Sequence, residues 1–85
     1  MYTLKFSHTA SKALLRMPRN LATLIRSKLD SLANDPHALQ NNIKKLSGRP
    51  GYRLRTGDWR ILYTLHDDIL EIHVIDIGPR GEIYE

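Results

Sequence analysis

Cysteine is absent from the 85 residues. That absence removes a disulfide framework, a thiolate metal site and a thiol nucleophile together. No apolar run approaches the ~20 residues that a membrane-spanning helix needs. The opening segment, Met1 to Phe6, has neither the basic start nor the apolar stretch of a secretion signal. The expectation is therefore a soluble, cytoplasmic protein. Domains usually hold ~100–200 residues, so the chain has room for one small domain over 1–85. That excludes a two-domain nucleotide-binding enzyme and a barrel enzyme. With 41% hydrophobic and 26% charged residues, the composition is that of a globular chain and not a disordered one.

The charge, formally +4, is unevenly placed. Residues 44–60 carry six bases (Lys44, Lys45, Arg49, Arg53, Arg55, Arg60) and one acid, Asp58, a balance of +5. Residues 61–85 carry one base, Arg80, against six acids, a balance of −5. Solvated surface accounts for some of these charges. The cluster at 44–60 also reads as a patch for a polyanion such as nucleic acid. Lys44 and Lys45 fit either description. Arginine dominates the cluster, and its planar fork grips phosphate oxygens in pairs, which lysine cannot do.

Periodicity predicts the elements. Tyr2, Leu4 and Phe6 alternate with polar residues, a strand with one buried face. Ser7 or Thr9 offers a helix cap. Ala10, Ala13, Leu14 and Met17 then share one face of a helix. Pro18 ends that helix and suits the start of a second. The second runs over 18–34 with Leu21, Leu24, Ile25, Leu29 and Leu32 in a stripe. Residues 35–47 read as loop, anchored by Leu39, Ile43 and Leu46. From Tyr52 the period becomes two. Strands are expected over 52–56, 59–65 and 69–77, with turns at Gly57-Asp58 and Asp67-Asp68. Gly78-Pro79 should break the last of these, and Glu82, Ile83 and Tyr84 would add a short final strand. The order implies an α+β two-layer fold: an N-terminal strand and a helical hairpin packed on an antiparallel sheet of about four strands.

Alternation puts Arg53 and Arg55 on one sheet face, and the tight turn brings Arg60 back beside one of them. Crowded guanidinium groups repel, and only Asp58 lies nearby in sequence to offset them. An anionic ligand, phosphate above all, explains the crowding better than stability does. Trp59 and Tyr63 read as core. His8, His37, His66 and His73 lack the convergent spacing of a metal site. Glu71 and His73, two apart on one strand, read as a solvated pair, with an acid/base couple as the alternative. No Ser-His-Asp spacing and no phosphate-binding glycine loop is present.

Four segments carry a family resemblance: Leu46-Ser47-Gly48, Tyr52-Arg53-Leu54-Arg55, Gly57-Asp58-Trp59-Arg60-Ile61-Leu62-Tyr63 and Ile77-Gly78-Pro79-Arg80-Gly81-Glu82-Ile83-Tyr84. In this order and spacing, behind a helical hairpin, the whole chain resembles the RelE/ParE superfamily of bacterial toxins, and most of all its RelE branch. The resemblance implies a toxin that enters the ribosomal A site and cuts mRNA there without metal or other cofactor. It implies two kinds of partner: a cognate antitoxin from an adjacent gene, and the ribosome with its mRNA. The family's catalytic set falls by position on Arg53, Arg55, Arg60, Arg80 and Tyr84. Within it, Arg60 and Arg80 would stabilise the transition state and Tyr84 would orient the base or assist proton transfer. Arg53 and Arg55, with Lys44 and Lys45, would hold the RNA phosphates. Some relatives have lysine at the positions of Arg53 and Arg55. Arginine stays protonated, so neither residue suits a general base. The alternatives on the same fold are a ParE-like gyrase inhibitor without nuclease activity and a non-catalytic basic nucleic-acid-binding module.

Overall fold

A computed structural model describes residues 1–81 and 83. Strand β1 (Thr3–Phe6) leads into α1 (His8–Arg16) and α2 (Arg19–Asn34). A 3-10 turn at Gln40–Asn42 precedes β2 (Ile43–Lys45), and β3 (Tyr52–Thr56), β4 (Trp59–His66) and β5 (Glu71–Pro79) follow. The five strands form one sheet in the order β1-β5-β4-β3-β2. The α+β two-layer expectation holds, with one strand more than the four expected.

The sheet differs from the expected antiparallel one at both edges. β1 pairs parallel to β5, with Thr3 opposite Glu71 and Phe6 opposite Val74. A parallel pair needs a long crossover, and the helical hairpin is part of the chain that supplies it. At the other edge, Ile43–Lys45 pairs antiparallel with β3, inside a stretch expected to be loop. Three residues are too few to show a period of two.

The helices form where the sequence signals them. Ser7 caps α1, its hydroxyl oxygen accepting from the Ala10 amide at 3.0 Å. That satisfies one of the four amides a helix N-terminus leaves without a partner. Pro18 stands just before α2, and its carbonyl accepts from Leu21 and Ala22. Ala10, Met17, Ile25, Leu29, Leu32 and Ala33 pack on Leu54, Ile61, Tyr63, Ile72, Val74 and Ile77 of the sheet. Leu24, expected on the buried stripe, is 46% exposed. It lies at the margin of the stripe, where the helix turns to solvent.

β5 departs most from its expected alternation. Its pairing with β4 shifts between Leu62 and Tyr63: Leu62 faces Asp76, while Tyr63 faces Val74. Ile75 is thus an extra, unpaired residue, a β-bulge. The bulge moves Ile77 onto the core face with Ile72 and Val74 and turns Asp76 to the opposite face. Ser7 holds it in place. Its amide donates to the Val74 carbonyl at 2.9 Å, and its hydroxyl donates to the Ile75 carbonyl at 2.6 Å. The residue that caps α1 therefore also satisfies the bulge.

The turn before β5 spans residues 67–70, so Ile69 and Leu70 lie outside the strand expected over 69–77. Leu70 has φ 53°, a left-handed conformation that breaks strand geometry. The strand continues through Gly78 and Pro79, where a break was expected. Pro79 is its last residue and is tolerated there. Of the expected final strand, Glu82 and Tyr84 lie outside the described residues. Ile83 is buried, and its Cβ would sit 3.4 Å from a Cβ added at Gly78.

Residues 46–51 link β2 to β3 and fold over the sheet face away from the helices, where Leu62 is 2% exposed. Gly51 makes this possible, with φ 119°. A Cβ there would lie 2.9 Å from the Tyr63 carbonyl oxygen. No helix among the described residues is long and apolar enough to cross a membrane.

Candidate functional site

The basic residues of β2, β3 and β4 stand in rows across the sheet. Lys44 is the cross-strand partner of Arg53, and Arg55 is the partner of Arg60. Strand alternation places Arg53, Arg55 and Arg60 on the face opposite the helices. Cross-strand partners have Cβ atoms ~5 Å apart, so Arg55 and Arg60 start from adjacent positions on this face. Lys44, Lys45 and Arg55 are exposed, and Arg53 is half-buried. Lys44, Lys45 and Arg53 line a shallow hollow at the sheet edge, with Leu46 and Ser47.

Arg60 differs from the others in being 7% exposed. One of its guanidinium nitrogens donates to the Gly57 and Trp59 carbonyls, each at 3.1 Å. The β3–β4 turn that carries these carbonyls needs Gly57, whose φ is 59°. The next residue holds Arg80: the Arg80 amide donates to the Asp58 carbonyl at 2.6 Å. Trp59 faces Pro79 and Arg60 faces Gly78 across the strands. One tight turn thus contacts the Arg60 side chain and the Arg80 backbone, although the two residues are 20 apart in sequence. The Arg80 side chain is exposed. Tyr84, expected in the same set, lies outside the described residues.

Sequence reasoning missed one group on this face. Asp76 is half-buried and lies opposite Leu62. Register makes it a diagonal neighbour of Arg60. Its carboxylate accepts from the Ile77 amide at 2.8 Å. Simple alternation hides it, because the bulge at Ile75 is what turns it to this face.

A second polar cluster lies further along the same face. His66 and His73 stack with ring centroids 4.0 Å apart. Thr64 Oγ1 is 2.9 Å from His66 Nε2, and Glu71 Oε1 is 2.8 Å from His73 Nε2. The Glu71–His73 contact was legible as a spacing of two. His66 joins through the β4–β5 register. The hydrogen bond from His73 holds the Glu71 carboxyl below its ordinary 4.5, helped by the nearby charges of Lys5, His73 and His66 and opposed by desolvation. A lowered carboxyl pKa favours the folded state above 4.5, and that contribution fades as pH falls through the depressed value. Acid titration followed by circular dichroism should therefore show Glu71→Gln losing less stability below pH 4.5 than the parent does. Equal losses would mean that this contact contributes nothing. Among the described residues, no group of three His, Asp or Glu side chains is arranged to hold a metal ion.

The comparisons with known proteins agree with this architecture. The family model described as "ParE toxin of type II toxin-antitoxin system, parDE" matches residues 4–84. Toxin RelG of Mycobacterium tuberculosis (strain ATCC 25618 / H37Rv) is 27% identical over 85 residues, spanning 98% of this chain and 95% of that protein. The archaeal RelE–RelB complex from Pyrococcus horikoshii OT3 superposes with a TM-score of 0.81 at 27% identity, over 96% of this chain and 98% of that one. The intact E. coli RelBE toxin–antitoxin complex gives 0.78 at 27% identity, over 98% and 100%. A two-helix layer on a five-stranded sheet, an arginine pair beside a tight turn, and a family match over almost the whole length lead to one conclusion: this chain belongs to the ParE toxin family of type II toxin–antitoxin systems, within the RelE/ParE superfamily.

Proposed function

We propose that this toxin is a ribosome-dependent endoribonuclease that cleaves mRNA in the A site. The observation that carries this reading is the Gly57–Asp58 turn, which touches both the Arg60 guanidinium and the Arg80 backbone beside the Arg55–Arg60 pair. A polyanionic substrate explains that concentration of guanidinium groups. In the reaction, the 2′-oxygen of the RNA bonds to the adjacent phosphorus and the bond from phosphorus to the 5′-oxygen breaks. The products are a cyclic phosphate and a 5′-hydroxyl. Negative charge gathers on the non-bridging oxygens, where preplaced donors act most strongly. Arg60 and Arg80 take that role. Arg53 and Arg55, with Lys44 and Lys45, hold the backbone. Tyr84 orients the base or assists proton transfer. Because the arginines stay protonated, much of the acceleration comes from alignment of the 2′-hydroxyl by the ribosome.

The partner in the resting state is a cognate antitoxin, as the RelE–RelB pairing of the structural relatives supports. The outer surface of the helical hairpin suits it. A groove of about 430 Å³ there combines Leu14 and Ala22 with Arg19, Arg26 and a single acid, Asp30, and Leu15 on α1 is 85% exposed. An amphipathic segment with acidic residues fits both the apolar floor and the basic rim.

Produced alone, the protein should arrest growth and translation, and primer extension on a reporter mRNA should map cuts that appear only while the message is translated. Co-production of the neighbouring reading frame's product should restore growth. The ParE description of the family model favours a second reading, gyrase inhibition. Loss of DNA supercoiling with mRNA intact would establish that reading and reject ours.

A further inference from the structure

On the helix-facing side of the sheet, a cleft of about 190 Å³ opens between the 36–40 segment and strands β2, β3 and β4. Pro36, Ile43 and Leu65 give it apolar walls, and His37 and Gln40 bring polar groups. Tyr52 and Tyr63 complete it, stacked with centroids 5.5 Å apart and an interplanar angle of 23°. Tyr63 is 3% exposed. Its hydroxyl has no hydrogen-bond partner among the described residues, yet it is not sealed off: Thr56 Oγ1 is the one fully buried side-chain polar atom there that lacks a partner. A buried phenol normally finds a partner. Tyr63 is one of the residues that line the cleft, which is where such a partner would enter.

We propose that this cleft binds the base of a pyrimidine nucleotide, with the Tyr63 hydroxyl as hydrogen-bond donor and Lys45 beside the phosphate.

Size selects one ring. A cavity of ~150 Å³ holds benzene, so a six-membered ring fits within the lining of this cleft, while a purine's second ring would project beyond it. Chemistry selects a neutral ring with a carbonyl. Burial and the neighbouring Tyr52 push the Tyr63 hydroxyl above its ordinary pKa, so it stays protonated and donates. The O2 carbonyl common to uracil and cytosine accepts. Gln40 offers both a donor and an acceptor to the rest of the base edge. Tyr52, half-buried and stacked on Tyr63, adds the edge of its ring to the cleft wall.

Topology connects this cleft to the basic face. Lys45 is the cross-strand partner of Tyr52, which lines the cleft. Lys45 also lines the hollow shared with Lys44 and Arg53. β2 is the edge strand, so a single strand can pass around it, with phosphates on the lysines and a base tucked behind. The choice of a nucleotide over another single-ring carbonyl compound rests on the RNA reading above.

The test is a titration of the full chain with uridine 5′-monophosphate, followed by amide chemical shifts. Guanosine 5′-monophosphate and inorganic phosphate serve as comparisons. Uridine 5′-monophosphate should shift Gln40, Ile43, Tyr52 and Leu65 saturably, whereas the comparison compounds shift only Lys44, Lys45 and Arg53. Tyr63→Phe should weaken uridine 5′-monophosphate roughly three- to tenfold, the loss of one hydrogen bond. The proposal is overturned if all three compounds shift the same amides, or if a folded Tyr63→Phe binds as the parent does. Should that variant not fold, the contrast between uridine and guanosine on the unchanged protein decides. The outcome is separable from the cleavage reading: a protein that cuts mRNA but leaves the cleft unoccupied sinks only the pocket. A protein that fills the cleft but leaves translated mRNA intact sinks only the cleavage.

Discussion

Arg80→Ala should slow single-turnover cleavage on programmed ribosomes by on the order of 10²–10³-fold, while ribosome binding changes little. A well-placed donor to a developing oxyanion is typically worth ~3–4 kcal/mol, and its removal lowers the chemical step more than association. Arg80 is the cleaner of the two transition-state candidates. Its side chain is exposed and its backbone is held separately, by the Asp58 carbonyl. Truncation therefore removes the guanidinium without removing what positions residue 80. Arg60→Ala should slow cleavage to a similar degree but also destabilise the fold, because the Gly57 and Trp59 carbonyls lose their donor. Arg53→Ala and Arg55→Ala should act on binding, each lowering the salt-dependence slope by about one unit per lost phosphate contact. Cleavage by Arg80→Ala at the parent rate would place the active site elsewhere. Loss of cleavage in a folded His73→Ala alone would assign the chemistry to the Glu71–His73 pair.

The largest stability effect belongs to the centre of the sheet. Ile61→Ala should cost ~2–5 kcal/mol, read as a lower urea midpoint with an unchanged slope. Ile61 is fully buried on β4, opposite Leu54 on one side and Ile77 on the other, both of them core residues. With strands on both flanks and helices above, the backbone has little freedom to collapse into the space left behind. At ~0.05–0.15 kcal/mol per residue, a chain this short has only roughly 4–13 kcal/mol in total, so the variant should unfold at a distinctly lower temperature than the parent. A loss below 1 kcal/mol would mean that the sheet closes over the gap. Small chains expose much of their surface, and one central side chain accordingly carries a large share of the stability here.

Periodicity and breakers were enough to read both helices, the break at Pro18 and four of the five strands, and they offered Ser7 as one of two caps for α1. These are local signals: a stripe at 3.6 residues, an alternation at two, a proline or glycine where an element turns. The Arg53, Arg55 and Arg60 grouping was legible for the same reason, since one short turn sets the pairing of the strands that flank it. What the sequence could not show depends on which strand meets which. β1 runs parallel beside β5 because the helical layer carries the chain across. β2 exists because β3 offers an edge to three residues with no pattern of their own. The Ile75 bulge depends on Ser7, 68 positions away in sequence, to satisfy its carbonyl. It reverses the faces of Asp76 and Ile77, which no count along β5 anticipates. The joining of Arg80 to the Gly57–Asp58 turn, the stacking of His66 on His73 and the cleft beneath Tyr63 are of the same kind. Each is created by hydrogen bonds and packing between segments far apart in the chain, whose energy no local window contains.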